Sequence, residues 1–263
     1  MKAGIIGCGF IGNEVAKFID GNKNFRLIGL NDIDKSRFEV LLKKLKHNKP
    51  KFMELGELIE NCDLIVEAAA KDIIKIILSD KNLDKKNKIL LIMSASGLID
   101  NLNLLHKIKN CEVLLPSGAI AGLDAIKAVS GRIKSLALTT TKPVKGLESA
   151  PFILKNKIKL KNIKAEKVIF EGNLKDATDG FPQNINVAAA LFLASKFKGI
   201  KIRIIADPNT KFNSHEIEAI GDFGRIKTTS NNFPSRNPKT SYLAVLSSIQ
   251  TIKNIINNVK IGN

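Results

Sequence analysis

Six residues near the start of the chain constrain its fold more than any other feature. They are Gly7-Cys8-Gly9-Phe10-Ile11-Gly12, a G-x-G-x-x-G turn. The turn follows the apolar run Ala3 to Ile6, which reads as a buried strand, and opens the pattern Ile11 to Ile19, which reads as a helix. In that setting Gly7 permits a tight turn, Gly9 lets backbone approach a pyrophosphate, and Gly12 allows close packing of helix on strand. The helix start presents unpaired N–H groups and the positive end of its dipole to phosphate. A second strand, Arg26 to Asn31, leads to Asp32, about twenty residues beyond the last glycine, where a ribose-binding carboxylate belongs. Strand, helix and acid together point to a dinucleotide, against the alternative of a glycine-rich turn with no ligand. The candidates for holding it are Gly7, Gly9, Phe10, Ile11, Gly12 and Asp32. Asp32 favours NAD, because a carboxylate accepts a 2′-hydroxyl and repels a 2′-phosphate. Lys35 and Arg37 follow closely and tolerate NADP, so the cofactor is NAD or NADP.

The first half of the chain alternates short apolar runs with helical patterns, as βαβ units with a parallel sheet do. A charged helix begins near Asp34, and Leu64 to Ala69, Ile89 to Met93 and Val113 to Leu115 read as further strands. After about residue 118 the pattern changes. Arg132 to Thr141 alternates as a strand with one exposed face does, and Ala165 to Glu171, Lys201 to Ala206 and Phe223 to Thr229 read as strands too. Asn186 to Lys196 is an alanine-rich helix. Pro238 to Val259 reads as one long helix with Asn237 as its N-cap. The expected fold class is α/β: a Rossmann-type parallel sheet with a second α+β domain carrying a mixed sheet. Residues 1–117 form the dinucleotide-binding domain, joined by the C-terminal helix 238–263, and residues 118–237 form the substrate domain.

The formal charge of +17 raises a nucleic-acid reading, but the excess is scattered lysine, as in Lys43-Lys44-Leu45-Lys46. With one tyrosine and no tryptophan, stacking aromatics are scarce. A lysine-rich solvated surface that attracts anions is expected, with no nucleic-acid partner. Cys8, Cys62 and Cys111 are odd in number and widely spaced, which predicts no disulfide framework, no metal cluster and a reducing cytoplasm. No apolar stretch is long enough to span a membrane and the N-terminus lacks a signal-peptide pattern, so no membrane partner is expected.

His47 and His106 sit in surface-like or amphipathic settings. His215 lies in Asp207-Pro208-Asn209-Thr210-Lys211-Phe212-Asn213-Ser214-His215-Glu216, which reads as a polar loop after a strand. A histidine there suits acid–base work, with a capping or surface role as the alternative. Ser117-Gly118-Ala119-Ile120-Ala121-Gly122 follows a strand at the edge where such folds bind ligands, although a tight strand-to-helix connection explains it equally. Phe181-Pro182-Gln183-Asn184-Ile185-Asn186 caps a helix or binds an amide. Asn237-Pro238-Lys239-Thr240-Ser241 starts a helix and offers hydroxyls to an anion.

Taken together in this order, those segments, with Glu67-Ala68-Ala69 and the opening turn, resemble the L-aspartate dehydrogenase family across essentially the whole chain. The turn Ser94-Ala95-Ser96-Gly97 departs slightly from that pattern. The resemblance implies NAD(P)-dependent oxidative deamination of L-aspartate to iminoaspartate, then oxaloacetate and ammonia, in support of NAD biosynthesis. It implies that His215 is the catalytic residue, that Ala119 and Asn186 contact the cofactor, and that the chain forms a homodimer or higher homo-oligomer through the domain 118–237. Two substrate carboxylates need cationic or hydroxyl partners, for which Lys142, Thr240 and Ser241 are the candidates. The alternatives are a homoserine-dehydrogenase-like or dihydrodipicolinate-reductase-like enzyme, or a non-catalytic NAD-sensing or nucleic-acid-binding module.

Overall fold

A computed structural model describes residues 1–182, 185–235 and 241–261. The chain divides into two compact units, one of Met1–Pro116 with Val245–Lys260 and the other built on Ser117–Ala244. No helix among the described residues is long and apolar enough to cross a membrane.

The first unit holds a six-stranded parallel sheet made of β1 (Lys2–Ile6), β2 (Arg26–Asn31), β3 (Lys51–Phe52), β4 (Leu64–Glu67), β5 (Ile89–Ile92) and β6 (Glu112–Leu114). The strand order is β3-β2-β1-β4-β5-β6, so the winding reverses between β1 and β4. That reversal opens a crevice at the carboxyl ends of the strands, where doubly wound sheets take ligands. β4 and β5 are buried at every position, as continuous apolar strands covered on both faces must be. Helix α1 (Phe10–Asp20) buries Gly12, Val15, Ala16 and Ile19, a spacing that keeps one helical face on the sheet. Val15, Ala16 and Ile19 join Leu27, Leu64, Val66, Leu91 and, from the helix Tyr242–Ile256, Ile252 in one apolar core.

Two carboxylates pin loops of this unit by the same device. Asp20 accepts backbone N–H bonds from Lys46, His47 and Asn48. Burial opposes its charge, but those donors and the Asn48 amide outweigh it and hold the carboxyl below its usual range. Asp84 takes the N–H groups of Lys109, Asn110 and Cys111 in the same way.

A lysine closes the helix Leu55–Asn61. Nζ of buried Lys88, just before β5, donates to the carbonyls of Ile59 (2.6 Å), Glu60 (3.0 Å) and Cys62 (2.7 Å). These are the carbonyls a helix end leaves without partners, and a cation there also suits the dipole. Lys88→Met keeps the stem and removes the donor, so it is expected to cost about 2 kcal/mol of stability. A urea titration checks this; an unchanged midpoint would mean that the three carbonyls find other partners.

The second unit carries a five-stranded mixed sheet of β7 (Ile133–Lys142), β8 (Lys167–Gly172), β9 (Lys201–Ala206), β10 (Asn213–Gly221) and β11 (Gly224–Asn232). Its order is β11-β10-β7-β9-β8, with β7 and β9 parallel and the other neighbours antiparallel. Along β10 the burial alternates, so Asn213, His215, Ile217 and Ala219 share the covered face. Leu136, Leu138, Thr140 and Lys142 of β7 are buried at alternate positions as well. β10 is absent from the sequence reading, which places residues 207–216 in a loop. The reason is physical. Asn213 and His215 fill the first two inward positions, so the apolar period that marks a strand does not begin until Ile217. β3 is missed because two residues carry no period at all. The expected helix start at Asn237-Pro238 lies outside the described residues, and the described helix begins at Tyr242.

Candidate active site

In the first unit the glycine turn stands at the point where the sheet order reverses. Gly7 has a φ of 98°, and its N–H donates to the Asn31 carbonyl at 2.8 Å. A Cβ at Gly7 would lie 2.6 Å from the Ala68 carbonyl oxygen, and one at Gly12 would drive into the Gly7 carbonyl. These two glycines are therefore required by the protein itself. Gly9 differs: a Cβ there would meet nothing within 4 Å. Gly9 is also the N-cap of α1 and offers no side-chain acceptor to the first-turn N–H groups. An open concave backbone at an uncapped helix start is the shape and charge that a pyrophosphate fits. Phe10 and Ile11, half-buried, begin that helix.

Asp32 has a role that its sequence position does not disclose. Its Oδ2 accepts the N–H of Cys8 at 2.7 Å, and its Oδ1 accepts the N–H of Asp34 at 2.9 Å. The carboxylate thus ties the middle of the glycine turn to the end of β2, in addition to any ribose it receives. Burial pushes the neighbouring Cys8 thiol up to about 12, with Asp32 adding to the shift, so this cysteine is inert.

Glu67, fully buried at the end of β4, is a second carboxylate at this edge. Oε1 accepts from the Ala69 N–H and the Ser94 hydroxyl, both at 2.8 Å, and Oε2 from the N–H groups of Ser94 (2.9 Å) and Met93 (3.2 Å). Burial raises its pKa against the pull of those four donors. The side chain staples the carboxyl ends of β4 and β5 together. Its sequence signals are a glutamate at the end of an apolar strand and the Glu67-Ala68-Ala69 segment that enters the family resemblance.

In the second unit, His215 lies in the strand β10 and is 3 % exposed, where the sequence reading has it in a solvated loop. It faces Thr140 of β7 in register, and its Nδ1 lies 3.0 Å from the Thr140 hydroxyl. When Nδ1–H donates to that oxygen, Nε2 carries the lone pair that a base needs. Two residues along β7 on the same covered face stands Lys142, also 3 % exposed. Burial brings the Lys142 ammonium down to about 8. Burial, with the Lys142 charge beside it, lowers the His215 imidazole to about 3. The structure therefore brings together the catalytic candidate and one of the three substrate-binding candidates.

Ala119 is held against this sheet by β11. Its carbonyl accepts from the Ser230 hydroxyl (2.8 Å) and the Asn232 amide (2.9 Å), and the Ala121 carbonyl accepts from Thr228 (3.0 Å). Gly122, at a φ of 82°, fits because a Cβ would come 2.8 Å from a Thr228 methyl. The Ser117–Gly122 segment is thus more than a connection, since three side chains fix its path. Asn186 is the first residue of the helix Asn186–Ser195 and is exposed. Ser241 is buried and bridges to Pro234 beyond the end of β11. Thr240, the third substrate-binding candidate, lies outside the described residues, as do Gln183, Asn184 and Asn237-Pro238-Lys239. Among the described residues no group of three His, Cys, Asp or Glu side chains is placed to hold a metal ion.

The chain is similar to known proteins over its whole length. Residues 124–255 match the family model described as aspartate dehydrogenase, C-terminal, and residues 7–111 match the NAD-binding domain of homoserine dehydrogenase. The L-aspartate dehydrogenase of Methanosarcina mazei is 41% identical over 271 residues, covering 100% of this chain and 99% of its own. That of Methanosarcina barkeri is 40% identical over 271 residues, with the same 100% and 99% coverage. A crystal structure of aspartate dehydrogenase from Thermotoga maritima superposes with a TM-score of 0.77, covering 100% of this chain and 99% of that one at 24% identity, and shows the same fold.

Proposed function

The chain belongs to the L-aspartate dehydrogenase family, and from that premise we propose that it oxidatively deaminates L-aspartate with NAD(P). The products are iminoaspartate and, after water adds to the imine, oxaloacetate and ammonia. The observation that carries the reading is the buried Thr140–His215 pair with Lys142 beside it, a cationic proton-handling site suited to an amino acid with two carboxylates.

A bound nicotinamide would supply the hydride acceptor for the substrate Cα. The backbone of Gly7, Gly9, Phe10, Ile11 and Gly12 would hold it, with Asp32 at the ribose; the family resemblance adds Ala119 and Asn186 as cofactor candidates. The chain's own task is alignment and proton management. Lys142 receives a substrate carboxylate. Burial holds His215 down most and the Lys142 charge adds to it; the anion cancels that second contribution, so the imidazole gains some basicity when substrate arrives. His215 then takes a proton from the substrate amine or from the water that attacks the imine, while Thr140 fixes the ring. The reading extends to a homo-oligomer acting in the cytoplasm and supplying iminoaspartate to pyridine-nucleotide synthesis.

The test offers aspartate, homoserine, glutamate and alanine in turn, with NAD or NADP, and follows the absorbance of the reduced nicotinamide. Aspartate is expected to give the highest kcat/KM. Homoserine matters because of the match of residues 7–111, and a preference for it would overturn the proposal.

A further inference from the structure

We propose that Asn213 is a substrate-binding residue whose side-chain amide takes the amino-acid head group of the ligand; this rests on the aspartate reading above. Asn213 is 0 % exposed, and its Oδ1 and Nδ2 are both without a hydrogen-bond partner. These are the two buried side-chain atoms left unsatisfied among the described residues. A folded chain rarely leaves a donor and an acceptor of one side chain both unmet, because a buried polar group without a partner keeps its full desolvation cost.

Its position gives the orphaned amide a purpose. Asn213 precedes His215 by two residues and shares its face of β10. The antiparallel register that sets Ser214 opposite Thr141 puts Asn213 beside Lys142 on one side, and it lies opposite Asn232 of β11 on the other. Lys142 ends β7, Asn213 begins β10 and Asn232 ends β11, so the three form the terminal row of the sheet. The next row inward is Thr140, His215 and Ser230. A ligand entering from the end of the sheet meets Asn213 before it meets His215. Asn232 is already committed, its amide donating to the carbonyls of Ala119 and Asn213. The Asn213 backbone is thereby fixed while its side chain is left over. An acceptor and a donor side by side match a ligand that has both an N–H group and a carboxylate oxygen, as the head of an α-amino acid does. Oδ1 accepts from the nitrogen, Nδ2 donates to the carboxylate, and Lys142 supplies the countercharge.

The decisive variant is Asn213→Leu, close in shape and without polar atoms; Asn213→Asp, which keeps an acceptor and loses the donors, is the second. If the amide exists for a ligand, Asn213→Leu unfolds at the same temperature as the wild type or higher. Its KM for aspartate rises about tenfold or more, and its KM for NAD(P) stays within about twofold. Added aspartate raises the unfolding temperature of the wild type and leaves that of Asn213→Leu unmoved. Asn213→Asp loses aspartate binding at least as far. A lower unfolding temperature in Asn213→Leu would show that the amide serves the fold, and would overturn the inference. An unchanged KM or an undiminished aspartate shift in that variant would overturn it equally. If the wild type itself neither binds nor oxidises aspartate, the functional reading fails first and this inference with it.

Discussion

His215→Ala is expected to slow aspartate-dependent NAD(P)H formation by a hundredfold or more, while NAD(P) affinity stays within about twofold of the wild type. The cofactor is unaffected because the glycine turn is built from β1, α1 and Asp32, none of which uses the histidine. Turnover falls because the buried Thr140–His215 pair supplies the proton acceptor. Alanine also leaves the Thr140 hydroxyl and a cavity behind, so His215→Asn, which keeps a polar partner for Thr140, is the companion variant; it should fold and remain slow. Steady-state rates and a cofactor titration decide the matter, and near wild-type turnover in both variants would remove His215 from the chemistry. Acid stability provides an independent check. The folded imidazole titrates at about 3 and the unfolded one near 6.5. Between those values the unfolded chain binds the extra proton, so stability is complete above pH 6.5 and is lost as pH falls toward 3. At about 1.4 kcal/mol per pKa unit this amounts to several kcal/mol. His215→Asn should lack that part of the acid sensitivity.

In the first unit β4 and β5 were legible because they are buried on both faces, and the turn because Gly7 and Gly12 are dictated by backbone. Arg26–Asn31 emerges as the strand read from the sequence, and Asp34 caps the following helix through the Ser36 N–H. Gly7 and Gly12 are compelled by carbonyls that a Cβ would strike, so their spacing survives in the sequence as a motif. The second unit was less legible for the reason that makes it useful. Its strand β10 spends its first two inward positions on Asn213 and His215, which costs the apolar alternation by which strands are recognised. His215 was found by its residue type and by family resemblance, in the wrong secondary structure. Asn213 left no sequence signal beyond its neighbourhood, since an orphaned amide exists only once the chain is folded. The contact of Glu67 with Ser94 was hidden likewise, because a bond between residues 27 positions apart leaves no local pattern.

Lys142→Met should raise KM for aspartate by about a hundredfold and abolish the pH dependence of dicarboxylate binding. Removing one partner of a buried charge pair costs about 2–5 kcal/mol, which at 1.4 kcal/mol per decade is one and a half to three and a half orders of magnitude. Lys142 titrates at about 8 in the folded chain, below the ordinary lysine value of 10.5, because burial disfavours the ammonium. It is therefore cationic below pH 8 and neutral above. Succinate, which has both carboxylates and no amine to titrate, isolates this group. Its affinity for the wild type should be flat from the pH at which both succinate carboxyls are ionised up to pH 8, and fall toward tenfold per unit above it. In Lys142→Met it should be weak throughout and flat across the same range. Both measurements use binding alone, so they separate the charge of Lys142 from the proton transfers at His215. Succinate affinity that ignores pH 8 in the wild type, or that survives in Lys142→Met, would move the carboxylate site to another residue. The order of events proposed for His215 would fall with it, since its rise in basicity depends on an anion arriving at Lys142.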